Sequence, residues 1–251
     1  MPMISRDGEN LPLPTAKQSS EVNQASILVF KELFALSPEL MIMMPSTFVR
    51  QPTARRVIRR GNRQHNVGLF ASRLNQALVP YESTLEKQAC ALLESEPSVM
   101  AYRTQPYQIR LPIAGKLHVI YPDFEVLTAT GSALIDVKFE QATRKRAFHA
   151  RTDALQDYAH RRGIKYTVLT EVEIRVPRMK TALWLTGLAR GRARPELYEA
   201  VWEWLFSLDK RSFGEAFGMV VDYPAVRSVL AELVLDGHLE VDWGRPIWDQ
   251  V

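Results

Sequence analysis

Pro122-Asp123-Phe124 and Asp136-Val137-Lys138 each set an acid inside a short apolar segment, and the second adds a lysine two residues after its acid. Strand side chains alternate faces, so Asp136 and Lys138 emerge on the same side of a sheet. Between the two segments lies Thr128-Ala129-Thr130-Gly131-Ser132, a stretch with turn chemistry. A hairpin folded between Ala129 and Thr130 sets Asp123 opposite Asp136, whereas a bulge at Gly131 would shift that register. Two carboxylates facing across a strand pair repel by roughly 4 kcal/mol at ~4 Å and an effective dielectric of ~20. A divalent cation between them, or a proton on one of them, relieves the repulsion. With a lysine alongside, the set suits metal-assisted phosphodiester hydrolysis. The alternative is an ordinary hairpin whose solvated polar face is salt-bridged by Lys138.

These residues must be positioned by the apolar pattern around them. Ile120, Phe124 and Val126 on the first segment, with Ile135, Val137 and Phe139 on the second, predict one apolar face, leaving Asp123, Asp136 and Lys138 on the other. Tyr107–Leu111, Leu117–Leu127 and Ala133–Phe139 read as consecutive strands, Asp153–Arg162 as a helix stopped by Gly163, and Tyr166–Thr170 as a buried strand. A helix over Glu82–Ser95 precedes them. Its buried face is Leu85, Ala89, Leu92 and Leu93, with Glu82 and Glu86 at the edge, where an acid can reach the sheet. Ser83-Thr84-Leu85-Glu86 is also a capping-box pattern, so both acids equally suit the positive end of the helix.

The chain has 251 residues, 46% hydrophobic and 24% charged, which fits one or two globular domains. No apolar run approaches a membrane span, and Met1–Asp7 has no signal-peptide core. Cys90, the single cysteine, excludes an internal disulfide or a thiolate zinc cluster and reads as a buried thiol in a reducing cytoplasm. The net charge of +4 is distributed unevenly. Arg55, Arg56, Arg59, Arg60 and Arg63 form one cluster, Arg144-Lys145-Arg146 another, and Arg190, Arg192 and Arg194 a third. Such clusters point to a polyanionic partner or to solvated faces. Residues 1–65 read as a basic, partly flexible arm with a helix over Val22–Leu36. Beyond the linker at 187–195, helices at Glu196–Leu208, Ser212–Met219 and Pro224–Asp236, then a strand over His238–Trp243, follow winged-helix order. Val226–Leu235 takes the recognition-helix place but offers few groups for reading bases.

The order Glu82-Ser83-Thr84-Leu85-Glu86, Leu92-Leu93-Glu94, Gln105-Pro106, Pro122-Asp123-Phe124 and Asp136-Val137-Lys138 resembles TnsA-type transposon endonucleases. Gly68–Ser72 and Gly163–Glu171 extend the similarity to roughly residues 66–175. The resemblance implies an α/β fold, a restriction-endonuclease-like mixed sheet flanked by helices in a PD-(D/E)xK nuclease domain at 66–186. A winged-helix-like α+β domain follows at 187–251. It also implies a bacterial, cytoplasmic enzyme that cuts the 5′ strands at the ends of a mobile element in double-stranded DNA. An integrase-type transposase subunit would cut the 3′ ends, and an AAA+ ATPase regulator would dock on the C-terminal domain. Carried over by position, Glu86, Asp123, Asp136 and Lys138 are catalytic. Mg²⁺, with Mn²⁺ as substitute, would be held by Asp123, Asp136, the Val137 carbonyl and Glu86 through water. Arg55, Arg56, Arg59, Arg60, Arg144, Lys145 and Arg146 are candidate DNA contacts, with His149 and Gln156 further along the path. Some family members carry glutamine where this chain has Asp136. The rival readings are another nuclease of the same fold and a non-catalytic DNA-binding or docking module.

Overall fold

The structure is a computed structural model that describes residues 66–189, 193–207, 212–220, 222–245 and 247–250. The helix expected over Val22–Leu36 and the arginines at 55–63 lie outside the described residues. The centre is a four-stranded sheet in the order β3 (Val99–Thr104), β6 (Phe124–Thr128), β7 (Gly131–Val137), β8 (Lys165–Leu169). The first two pairings are antiparallel and β7–β8 is parallel, giving the mixed sheet expected. The β6–β7 register runs from Thr128↔Gly131 to Phe124↔Ile135 with no bulge. The two-residue turn is therefore Ala129-Thr130, and the same register carried one step on sets Asp123 opposite Asp136. Thr128 closes the turn by donating to the Gly131 carbonyl at 2.9 Å, and Gly131 takes φ +136°, open to glycine at little cost.

Helices cover both faces of this sheet. On one, α1 (Thr84–Glu94) and α5 (Pro177–Leu188) pack through Leu85, Ala89, Leu93 and Ala182 onto Phe124, Val126, Ile135 and Val137. On the other, α3 (Arg146–His160) inserts Leu155 against Leu134, together with Ile109, Leu111 and Ile120 of the hairpin β4 (Ile109–Ile113)–β5 (Lys116–Ile120). A further hairpin, β1 (Gly68–Ser72)–β2 (Ala77–Tyr81), leads into α1, and α2 (Glu140–Thr143) and α4 (Glu171–Ile174) are single turns. Cys90, on the inner face of α1, is wholly buried.

Several expectations change. Leu117–Leu127 is not one strand: it breaks at Tyr121-Pro122-Asp123 into β5 and β6, which belong to different sheets. Pro122 has no N–H for a ladder. The break resets the alternation, so Ile120 joins the Leu155 side rather than the Phe124 side. Phe139 lies past the end of β7 and is exposed, not part of the apolar face. The helix expected from Asp153 starts at Arg146, and β3 and α5 were not foreseen.

Past α5, the helices α6 (Pro195–Ser207), α7 (Phe213–Met219) and α8 (Pro224–Leu235) match the three expected. They close over a second core of Leu205, Phe213, Leu230 and Leu233, to which α5 contributes Leu185. Among the described residues His238–Trp243 forms no strand as expected: Glu240 makes one parallel bridge to Ser212. Buried Arg73 joins the two cores by pairing with Asp236 at 2.5 Å. Among the described residues no helix is long and apolar enough to cross a membrane.

Candidate functional site

The site is built at the β6–β7 end of the central sheet, where the chain enters β6 and leaves β7. The Asp123 carbonyl accepts from Gln105 N–H at 2.9 Å, which anchors the chain just before β6. Asp123 Oδ2 then accepts two hydrogen bonds, from Val137 N–H at 2.8 Å and from Lys138 Nζ at 2.6 Å. Lys138 is fixed at its own backbone by N–H donation to the Leu169 carbonyl of β8 at 3.0 Å. Its side chain reaches across to the acid of the facing strand, as the shared face predicts.

Asp136 sits deeper, with no exposed surface. Its Oδ1 accepts from Asp123 N–H at 3.2 Å, and its Oδ2 from Arg151 Nη1 at 2.5 Å and Tyr166 O–H at 2.9 Å. A buried carboxylate is tolerable only when paired and hydrogen-bonded, and these three donors meet that need. Sequence reasoning missed both Arg151 and Tyr166. The signal for Arg151 is its place four residues before Leu155 on one face of α3, hidden while that helix was begun at Asp153. Tyr166 lies on β8 in register with Leu134, two residues from Asp136 along β7.

Glu86 approaches from the first turn of α1. Ser83 caps the helix, its hydroxyl oxygen accepting from Glu86 N–H at 3.1 Å. The Glu86 carboxylate accepts from Glu82 N–H at 2.7 Å and Ser83 O–H at 3.0 Å. Half of the capping box read from the sequence is thus formed, the Glu86 carboxylate turning to the Glu82 amide rather than to Ser83 N–H, and the same carboxyl also feels the Asp123 charge. Burial, and after it the Asp123 charge, push the Glu86 carboxyl up to about 7, with Lys138 opposing. Burial likewise raises Asp123, against the pull of Lys138 and with Asp136 adding to it. Desolvation works against the Lys138 charge, yet the Asp123 and Asp136 carboxylates outweigh it and hold the ammonium above its usual range.

Three acids, Glu86, Asp123 and Asp136, thus share this end of the sheet with two cations, Lys138 and Arg151. Among the described residues, no three or more His, Cys, Asp or Glu side chains stand close enough together to hold a metal ion as they are. Each aspartate leans on a basic side chain, and Glu86 is turned to its helix end. The donor chemistry nevertheless fits a hard divalent cation: all three are carboxylates, in excess over the cations. Asp123 Oδ1 takes no hydrogen bond from any described residue, and the Asp123 side chain keeps 15% of its surface open.

Arg144, Lys145 and Arg146 are exposed at the entry to α3, the helix that carries Arg151, and Arg144 pairs with Glu140 at 2.6 Å. His149 and Gln156 are exposed on the same helix. Glu94, one of the acids in the motif order, has a different post. It is buried, receiving Ser72 O–H at 2.5 Å, Tyr102 O–H at 2.9 Å and the N–H groups of Arg73 and Leu74 at 3.1 Å. It ties α1 to the β1–β2 turn and β3.

No curated protein matches the chain. A protein-family model does: residues 96–171 match the family described as TnsA-like endonuclease N terminal. Residues 96–171 are thus similar to a TnsA-like endonuclease domain, and this segment holds Asp123, Asp136, Lys138, Arg151 and Tyr166.

Proposed function

We propose that this protein is the Mg²⁺-dependent endonuclease subunit of a heteromeric transposase, cutting the 5′ strands at the ends of a mobile element. The observation that carries the reading is the Asp123 carboxylate. It is fixed through Oδ2 by Val137 N–H and Lys138, faces Asp136, and its Oδ1 takes no hydrogen bond from the described residues. Asp123, Asp136 and the Val137 carbonyl would hold the ion, with Glu86 reaching it through water. Bound there, Mg²⁺ (or Mn²⁺ in its place) supplies charge stabilisation at the phosphate and a more acidic water. Lys138 opposes the burial that raises the Asp123 carboxyl, orients the attacking water and offsets charge on the phosphate oxygens. Glu86, pushed up to about 7, has a carboxylate suited to accept that water's proton at neutral pH.

Residues 66–186 form the cutting unit in this reading. The basic side chains of Arg144, Lys145 and Arg146, with Arg55, Arg56, Arg59 and Arg60, track the phosphates of duplex DNA. Residues 187–251 act as a winged-helix-like docking unit for a partner such as an AAA+ ATPase. The integrase-type subunit joins the 3′ ends, and the complex works in a bacterial cytoplasm. The test is a reconstituted reaction on a duplex carrying an element end, with each strand labelled separately. Wild type should nick the 5′ strand, and Asp123→Ala or Lys138→Ala should abolish that nick while 3′ joining persists. Unchanged 5′ nicking in both variants would overturn the assignment.

A further inference from the structure

Arg151 has no part in the reaction just described, yet it makes a 2.5 Å contact with the most deeply buried acid of the site. It comes from mid-helix α3, where Leu155 on the same face fixes the helix against the sheet. Its guanidinium donates to Asp136 Oδ2, the oxygen that Tyr166 also holds, while Oδ1 is taken by the Asp123 amide. Both Asp136 oxygens are thus engaged by protein donors. Asp136 differs in this from Asp123, whose Oδ1 takes no hydrogen bond from the described residues. The Arg151 side chain retains 24% of its surface, so the guanidinium has somewhere to go, whereas Asp136 has none. The exposed basic run 144–146 precedes Arg151 in the chain, at the entry to the same helix.

Resting on the nuclease reading above, we propose that Arg151 is an exchangeable counter-cation of Asp136. In the DNA-free protein it occupies the carboxylate oxygen that a divalent ion needs, and it gives that oxygen up when a DNA phosphate offers the guanidinium a better partner. A guanidinium matches two oxygens of a phosphate with parallel N–H donors, so the exchange replaces one charge-assisted pair by another. Asp136 stays where Tyr166 and the Asp123 amide hold it. Arg151 is accordingly a positioning residue, acting on the ion through Asp136. The resting site would be weak for metal before DNA arrives, in keeping with carboxylates that each lean on a cation.

The experiment measures Mn²⁺ affinity by calorimetry on the full chain without DNA, for wild type, Arg151→Gln, Arg151→Lys and the double variant Arg151→Gln/Asp123→Ala. The proposal expects Arg151→Gln to bind Mn²⁺ about tenfold more tightly than wild type, with Arg151→Lys between them. Loss of a positive charge by itself also favours a cation, so Arg151→Lys, which keeps the charge and loses the guanidinium contact, carries the decision: no gain over wild type in Arg151→Lys, or none in Arg151→Gln, overturns the proposal. Should Arg151→Gln fail to fold, Arg151→Lys decides: its ammonium cannot reproduce the guanidinium contact, and affinity at or below wild type refutes the exchange. The double variant separates the two levels. If Mn²⁺ binds Arg151→Gln tightly whether or not Asp123 is present, the ion sits elsewhere and the nuclease-site reading itself falls.

Discussion

Replacing Glu86 by glutamine should make the metal-free protein more stable at pH 8 while removing its activity. Burial and the Asp123 charge push the Glu86 carboxyl from 4.5 to about 7. A carboxyl whose folded pKa is raised binds its proton more tightly in the folded state. Its contribution to stability is complete below about 4.5 and is lost as the pH rises through 7. The loss amounts to about 3 kcal/mol, from a shift of about 2.5 at 1.36 kcal/mol per pKa unit. Glutamine removes the charge and nearly keeps the shape, but its NH₂ cannot accept one of the two bonds now donated by Glu82 N–H and Ser83 O–H. That missing bond costs about 1 kcal/mol. The net gain is about 2 kcal/mol at pH 8, or about 5 °C in Tm for a chain of this size. Thermal unfolding in a chelator at pH 5 and pH 8 measures it. At pH 5 folded Glu86 is already protonated, so the gain should vanish or turn slightly negative. An unchanged Tm difference between the two pH values, or a less stable variant at pH 8, would refute the electrostatic account of Glu86.

Glu94→Ala should destabilise the fold by about 3–5 kcal/mol, because it strands the hydroxyls of Ser72 and Tyr102, the Arg73 and Leu74 amides and the nearby buried Arg73 charge; urea unfolding measures this, and a cost below 1 kcal/mol would show that α1 is held by its apolar face alone. Neutralising Arg144, Lys145 and Arg146 together should leave Tm nearly unchanged, since all three are exposed, and should flatten the salt dependence of duplex binding by about 0.9 in log–log slope for each phosphate these side chains neutralise. An unaltered slope would take this run off the DNA path.

How far the sequence carried the structure can be judged residue by residue. The opposition of Asp123 and Asp136 was legible because a two-residue turn at Ala129-Thr130 leaves the register little freedom. Lys138 was legible because alternation puts it on the acid face, and Glu86 because the helix edge can reach the sheet. What the pattern hid has physical causes. β6 and β7 are covered on both faces, so Leu134 and Glu125 are buried beside Asp136 and a simple in–out alternation does not describe them. Pro122 divides one apolar run into two strands of different sheets, which moved Ile120 to the other core. Arg151 was hidden because the expected helix began at Asp153, past it, whereas the helix runs from Arg146. The segment His238–Trp243 alternates like a strand, yet among the described residues Glu240 alone bridges, to Ser212, and alternation without a paired neighbour makes no sheet.

The central claim is that phosphodiester cleavage occurs with a divalent ion held by Asp123 and Asp136 against a phosphate oxygen. A duplex end with a single phosphorothioate at the 5′-strand cleavage position, cut by the reconstituted complex in Mg²⁺ and in Mn²⁺, tests it most directly. Sulfur is a poor ligand for Mg²⁺ and an acceptable one for Mn²⁺. The account predicts that one sulfur diastereomer slows cleavage at least tenfold in Mg²⁺ and that Mn²⁺ restores it. Equal rates for sulfur and oxygen in Mg²⁺, or a slowing that Mn²⁺ leaves untouched for both diastereomers, would contradict it.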